Sequence, residues 1–333
     1  MFQPPFNAFC IGEITMLSQE EHIITQHILR ETKVKNKDNL TRTNAYKRFY
    51  DRHPEMKWSL LASFVSRNAG WSMTDLKGEL FHPGLTDQQG HLFFTAYERA
   101  NWLIFSDAYP QLLLYEWSKR CRKPLFHLLP YFSVSRFMST EWERFWLKRD
   151  TERLLYALII NEQYTIQSPI IQNPLLKKNV FHSIQYLFSE WGHFQTVVFP
   201  TVDGHLYGLT IRKFSHVKER ITLGKKLAKL LFRADLFSDF YHFLHTVPHT
   251  GSRFDFEPFL GIARRSTPFL RTVYPVMTHS LDDQREDWFQ KKLSPSLFDA
   301  ETLPKQIELT EWYFHKKRQL RFLFSLEHYF LHK

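Results

Sequence analysis

The stretch HPEMKWSLLASFVSRNAGWSMTDLKG, residues 53–78, carries the reading of the whole chain. Trp58, Leu61, Ala62, Val65 and Ala69 recur at helical spacing and form one apolar stripe. Ser59, Ser63, Ser66 and Gly70 form a second stripe of small side chains, at steps of four, three and four. Small residues let a neighbouring helix come close, and a buried serine can bond a carbonyl one turn back. His53-Pro54-Glu55 reads as the helix start, because proline in the first turn sacrifices no needed N–H and Glu55 complements the positive end. Gly78 supplies the stop. A helix that is bulky on one face and small on the other is expected to be buried on both, as a packing spine.

Working outward, Ser18 suits the N-cap of a polar helix with Glu20 and Glu21 in its first turn. Residues 33–44 read as a charged linker. A long helical pattern runs from Leu92 to Lys123, and Pro110 is expected to break or kink it, since it removes a donor and crowds the preceding turn. A third helix is expected from Ser139-Thr140, with Thr140 and Glu143 as a capping box, through to Tyr164. After a proline-containing connector at 168–180 the period changes. β-Branched runs flank Asp203-Gly204 within residues 194–214, a hairpin signal. Helix returns at about Ile221 and stops at Pro248. Residues 249–303 read as short helices joined by turns, and a final helix occupies 304–333. The expected fold is mainly α, a multi-helix bundle-like assembly around helices 54–77, 92–120 and 141–165, with one β-hairpin near residues 194–214. One domain spanning 1–333 is expected, the alternative being a division into 1–180 and 181–333.

Composition agrees with a folded helical body. The chain has 333 residues, 43% hydrophobic and 23% charged, which excludes global disorder. Only 11 glycines argue against a propeller, a Rossmann fold or a glycine-rich phosphate loop. Two cysteines, Cys10 and Cys121, make neither a disulfide framework nor a zinc site, which fits a reducing compartment. The N-terminal MFQPPFNAFCIGEITML has no Lys or Arg ahead of an apolar core, unlike a secretion signal. Apolar runs such as LLYALII at 154–160 fall far short of the roughly 18 residues that a membrane span needs. The expected location is the cytoplasm.

Arg67 and Asn68 are the polar anomaly of the spine. A buried arginine needs a carboxylate, because an unpaired buried charge costs several kcal/mol. Glu98, Asp75 and Asp107 are the candidates on neighbouring helices. The favoured reading makes Arg67 half of a buried ion pair. The alternative is an enzyme whose polar pocket gathers Arg67, Asn68, Glu98, Asp107 and His53, with the guanidinium clamping a substrate carboxylate or phosphate.

No metal site or cofactor is assigned. Pro248 separates His249 from His242 and His245. The Glu-x-x-His spacings Glu79/His82 and Glu190/His193, the type that di-iron bundles use, fall at loops rather than mid-helix. Asp203 with Lys213 resembles a nuclease pair but lacks the second carboxylate. There is no G-x-S-x-G, P-loop or H-E-x-x-H.

The formal net charge is +10, and it is unevenly spread. Residues 212–233 hold eight basic residues (Arg212, Lys213, Lys218, Arg220, Lys225, Lys226, Lys229, Arg233) against the single acid Glu219. Lys225, Lys226, Lys229 and Arg233 are expected to point outward from their helix, and Lys316, Lys317, Arg318 and Arg321 form a second cluster. Such faces suit phosphate backbones or anionic headgroups. The leading expectation is therefore a non-enzymatic interaction protein whose basic face docks nucleic acid or an anionic membrane surface.

The runs NAYKRFYDRHPEMKWSLLASFVSRNAGWSMTDLKG (44–78) and FFTAYERANWLIFSDAYPQLLLYEWS (93–118) resemble the YppC-like family of Bacillus-type bacteria, a family known only as a domain of unknown function. The resemblance implies a bacterial, cytoplasmic protein and brings no catalytic residue with it.

Overall fold

The structure is a computed structural model that describes residues 17–80, 86–174, 196–210, 215–279, 287–290 and 292–331. Helix α1, Gln19–Lys35, starts at Ser18, whose hydroxyl and Glu21 carboxylate form a reciprocal capping box. The expected linker at 33–44 is mostly helix instead. Asp38 accepts from the Thr41 amide and caps α2, Asn39–Arg52. Helical propensity is modest there, and the cap starts the helix where charge alone suggests a loop.

His53 terminates α2, and after a Pro54-Glu55 turn α3 runs over Lys57–Asp75. Nearly every α3 side chain is buried. The small-residue stripe is the seat of α2, which lies antiparallel to it. Ser63 Oγ donates to the Thr43 carbonyl (3.2 Å), Ser66 Oγ meets Thr43 Oγ1 (2.8 Å), and Asn39 Nδ2 donates to the Ser66 carbonyl (2.8 Å). The opposite side carries Phe64, whose ring packs on Phe199 at 4.9 Å.

Helix α4 spans Asp87–Cys121 without interruption, so of the break or kink expected at Pro110 the break does not occur. A proline inside a helix costs about 3 kcal/mol. Burial of Tyr109, Leu112, Leu113 and Leu114 in the central core offsets it. The third expected helix is in fact two, α5 Arg136–Lys148 and α6 Thr151–Thr165. Arg149 adopts a left-handed conformation (φ 56°) that ends α5, and Asp150 caps α6 through the Arg153 amide. Thr140 lies inside α5, bonded to the Arg136 carbonyl.

Strands β1, Thr196–Pro200, and β2, Leu206–Thr210, form the hairpin, with Thr196 opposite Thr210 and Pro200 opposite Leu206. Gly204 takes φ 83° in the turn, which only glycine accepts without strain. The free edge of β2 is covered by residues 307–309: Gly208 N–H donates to the Ile307 carbonyl and Leu309 N–H to that of Leu206. Helices α7, Val217–Leu231, and α8, Phe237–Thr246, follow; then come 3-10 turns, the short α9, Leu270–Val273, and α10, Thr310–Leu331. One hydrophobic cluster runs from Ile24 in α1 to Tyr313 in α10, so the fold is mainly α around a shared core.

Candidate functional site

Arg67 points away from the helices expected to pair with it. Its Nη2 donates to the carbonyls of Val247 (2.9 Å) and Pro248 (2.8 Å) and lies 3.4 Å from Asp255 Oδ2. The carboxylate partner is therefore Asp255, 188 positions along the chain, and not Glu98, Asp75 or Asp107. Asp255 also accepts from Trp71 Nε1 (2.9 Å) and Thr250 Oγ1 (2.5 Å) and faces His249 Nδ1 at 3.1 Å. His249 Nε2 donates to Asn39 Oδ1 at 2.9 Å. Burial draws the Arg67 guanidinium down to about 10, against the opposing pull of Asp255. Burial would raise the Asp255 carboxyl, but His249 and Arg67 hold it below its ordinary value. Arg67 Nε, also buried, has no hydrogen-bond partner among the described residues.

The other four candidates of the expected pocket go elsewhere. Asn68 brackets one residue of β1: its Nδ2 donates to the Val198 carbonyl and its Oδ1 accepts from the Val198 amide, both at 2.8 Å. Glu98 Oε2 accepts from Arg42 Nη2 at 2.5 Å, and its Oε1 lies 3.7 Å from His279. Asp107 accepts from Asn161 (2.5 Å) and Gln111 (2.8 Å). His53 Nε2 sits 3.4 Å from Glu116. The five side chains thus enter five separate groups of partners. None of them lines the cleft described below.

Of the four cations expected to face outward from residues 225–233, one is buried. Lys225 was expected on the surface, yet it is only 2% exposed. The segment around residues 295–301 crosses α7 and takes its ammonium: Nζ donates to the carbonyls of Leu297 (3.1 Å) and Asp299 (2.8 Å) and pairs with Glu301 Oε1 at 3.1 Å. Lys229 donates to the Glu301 carbonyl (2.9 Å), and Arg233 is paired with Asp235. Arg220 is buried against Gln163 and Gln167, and Lys317 against Glu257. Lys226 lines a separate groove beside Leu223, Leu309 and Trp312. Arg212 and Lys213 lie outside the described residues, as do His82, Glu190 and His193.

A cationic concavity does form, in a different place. Helices α1 and α2 and the C-terminal half of α4 enclose a cleft of about 360 Å³. Its floor is apolar, made of the buried Ala45, Tyr109 and Leu113. Trp117 lines one wall, meeting the His27 ring edge-on at 5.7 Å, with the Arg120 guanidinium 5.4 Å from the indole centroid. Lys35, Arg48, Arg52 and Arg120 supply four cations against the two carboxylates Glu31 and Glu116. Arg52 Nε from α2 and Arg120 Nη2 from α4 converge on one oxygen of Glu116, at 3.3 and 3.1 Å. His53, Arg52 and Arg120 together hold the Glu116 carboxyl down to about 2. Lys35 and Arg48 have no carboxylate partner among the described residues.

Two comparisons place the chain among known proteins. The sequence model of a family described as protein of unknown function, DUF2515, matches residues 34–314. The chain belongs to the DUF2515 family. It is 65% identical over 312 residues to the uncharacterized protein YppC of Bacillus subtilis (strain 168), covering 93% of this chain and 98% of that one. No solved structure matches. The DUF2515 match includes all of α2 to α9 and the cleft residues Lys35 to Arg120, leaving His27 and Glu31 just outside it.

The cleft cations of this DUF2515 protein form no run of charge in the sequence, because they come from three helices. The signal present was the repeated four-residue step, Arg48 to Arg52 and Glu116 to Arg120, which puts each pair on one helical face. Among the described residues no group of three or more His, Cys, Asp or Glu is placed to hold a metal ion, and no helix is long and apolar enough to cross a membrane.

Proposed function

We propose that this DUF2515 protein is a non-enzymatic interaction protein that binds an anionic partner, and that the cleft between α1, α2 and α4 receives the partner's charged group. The observation that carries this reading is the convergence of Lys35, Arg48, Arg52 and Arg120 around a concave, partly apolar cleft. Guanidinium groups recognise phosphate and carboxylate oxygens through paired, directional donors, and a recessed site strengthens that attraction over an open surface. The remaining basic side chains of α7, Lys218, Lys226 and Lys229, offer a weaker and more solvated contact. The net charge of +10 adds long-range attraction for either partner class, nucleic acid or an anionic membrane surface.

The test compares a single-stranded oligonucleotide with phosphatidylserine-containing vesicles at about 50 and 200 mM salt. Binding should weaken steeply with salt and fall at least tenfold in Arg48→Glu, with Lys226→Glu much milder. Binding that ignores both salt and Arg48→Glu would exclude the cleft.

A further inference from the structure

The cleft's dimensions and charge narrow the partner to one chemical class. Four cations against two carboxylates leave a local formal charge of +2. That matches a phosphomonoester, which carries about −1.5 to −2 at neutral pH, better than the single charge per unit of a phosphodiester. The volume of about 360 Å³ sits at the lower end of small-molecule sites, roughly 300–1,000 Å³. A flat lipid surface meets chiefly the rim of such a recess, whereas a small ligand enters it. The floor of Tyr109 and Leu113 and the wall of Trp117 are apolar and call for an organic body attached to the charged end.

Glu116 marks where that charged end goes. Two guanidinium groups from different helices meet on its Oε1, as they would on a phosphate oxygen. Arg52 and Arg120 are half exposed, so both can turn to an incoming ligand without unpacking the core. Lys35 and Arg48 remain on the rim for the outer oxygens.

We propose that the cleft is a site for an organic phosphomonoester of about mononucleotide size, and that Glu116 competes with the phosphate for Arg52 and Arg120. This rests on the anion-binding reading above and adds to it the ligand class and an internal competitor. The contrasting cluster of Asp75, Arg253, Glu257 and Lys317 is charge-balanced, buried and lines a cavity of only about 10 Å³.

Calorimetry on the full chain at low salt provides the test, with adenosine 5′-monophosphate, glucose 6-phosphate, adenosine, inorganic phosphate and an oligonucleotide lacking terminal phosphates. At least one phosphomonoester should bind at least tenfold tighter than inorganic phosphate or adenosine. Glu116→Gln should tighten it several-fold more, and the rim variants Lys35→Glu and Arg48→Glu should abolish it while circular dichroism confirms an unchanged fold. If the oligonucleotide without terminal phosphates binds as well as the monoesters, or Glu116→Gln brings no gain, this inference is wrong and the general anion-binding reading stands. If no anion binds at all, both fall.

Discussion

Arg253 and Asp75 meet in a forked ion pair that ties the C-terminal third of the chain to the end of α3. The arginine Nε lies 2.8 and 2.9 Å from the two carboxylate oxygens, and Nη2 lies 2.7 Å from Oδ2. Both side chains are buried. Removing one partner strands the other charge and costs about 3–5 kcal/mol, whereas replacing both by apolar groups is often close to neutral. Arg253→Met should therefore lower the urea midpoint sharply, and the double variant Asp75→Leu/Arg253→Met should recover most of the loss. A single variant as stable as the parent would show that the pair has no structural weight.

Gly70 offers a second test, of packing. A Cβ at this position would lie 2.5 Å from Asn39 Oδ1 and 2.9 Å from His249 Cε1, in the chain of bonds that leads to Asp255. Gly70→Ala should destabilise by about 1–3 kcal/mol despite alanine's higher helix propensity. Gly90, in the first turns of α4, has nothing within 4 Å of an added Cβ. Gly90→Ala should stabilise by roughly 0.5–1 kcal/mol. Chemical denaturation of the two variants side by side should give opposite signs.

Asn68 supplies both a donor and an acceptor to Val198 at the edge of β1. Aspartate keeps the shape and loses the donor, so its carboxylate faces the Val198 carbonyl. Asn68→Ala should cost about 2–3 kcal/mol, and Asn68→Asp more at neutral pH than at pH 4. Equal losses at both pH values would contradict the assignment of the amide as donor to that carbonyl.

Glu162 sets a pH dependence. Burial pushes its carboxyl up to about 7, against the Trp58 Nε1–H that it accepts at 3.2 Å. The folded protein holds this proton more tightly than the unfolded chain does. The contribution to stability is thus complete below the ordinary value of 4.5 and is lost as pH rises to about 7. It amounts to about 3 kcal/mol. Glu162→Gln, permanently neutral, should remove this slope and be the more stable protein at pH 8. Parallel stability curves for parent and variant between pH 5 and 8 would refute the shift.

The sequence disclosed what is local. Ser18 and Glu21, the two stripes of α3 and the Asp203-Gly204 turn each act within a few residues, and each appears in the structure as its chemistry requires. Where reading failed, a distant contact had overruled a local preference. Pro110 does not interrupt α4, because neighbouring helices bury the turn around it. Arg149 and Asp150 divide a pattern that reads as one helix, since periodicity alone carries no mark of a left-handed residue. The partner of Arg67 lies 188 positions away, and Lys225 is buried only because a later segment crosses it. The four-residue steps Arg48 to Arg52 and Glu116 to Arg120 are legible, but their meeting is not, because the cleft exists only where three helices converge.

The long-range pairs also bear on how the chain is made. Arg67, Asp75 and Asp38 leave the ribosome long before Asp255, Arg253 and Arg271, the residues that neutralise them. Until those partners are translated, closing the early helices would bury these charges unpaired, which disfavours a finished amino-terminal body ahead of the rest.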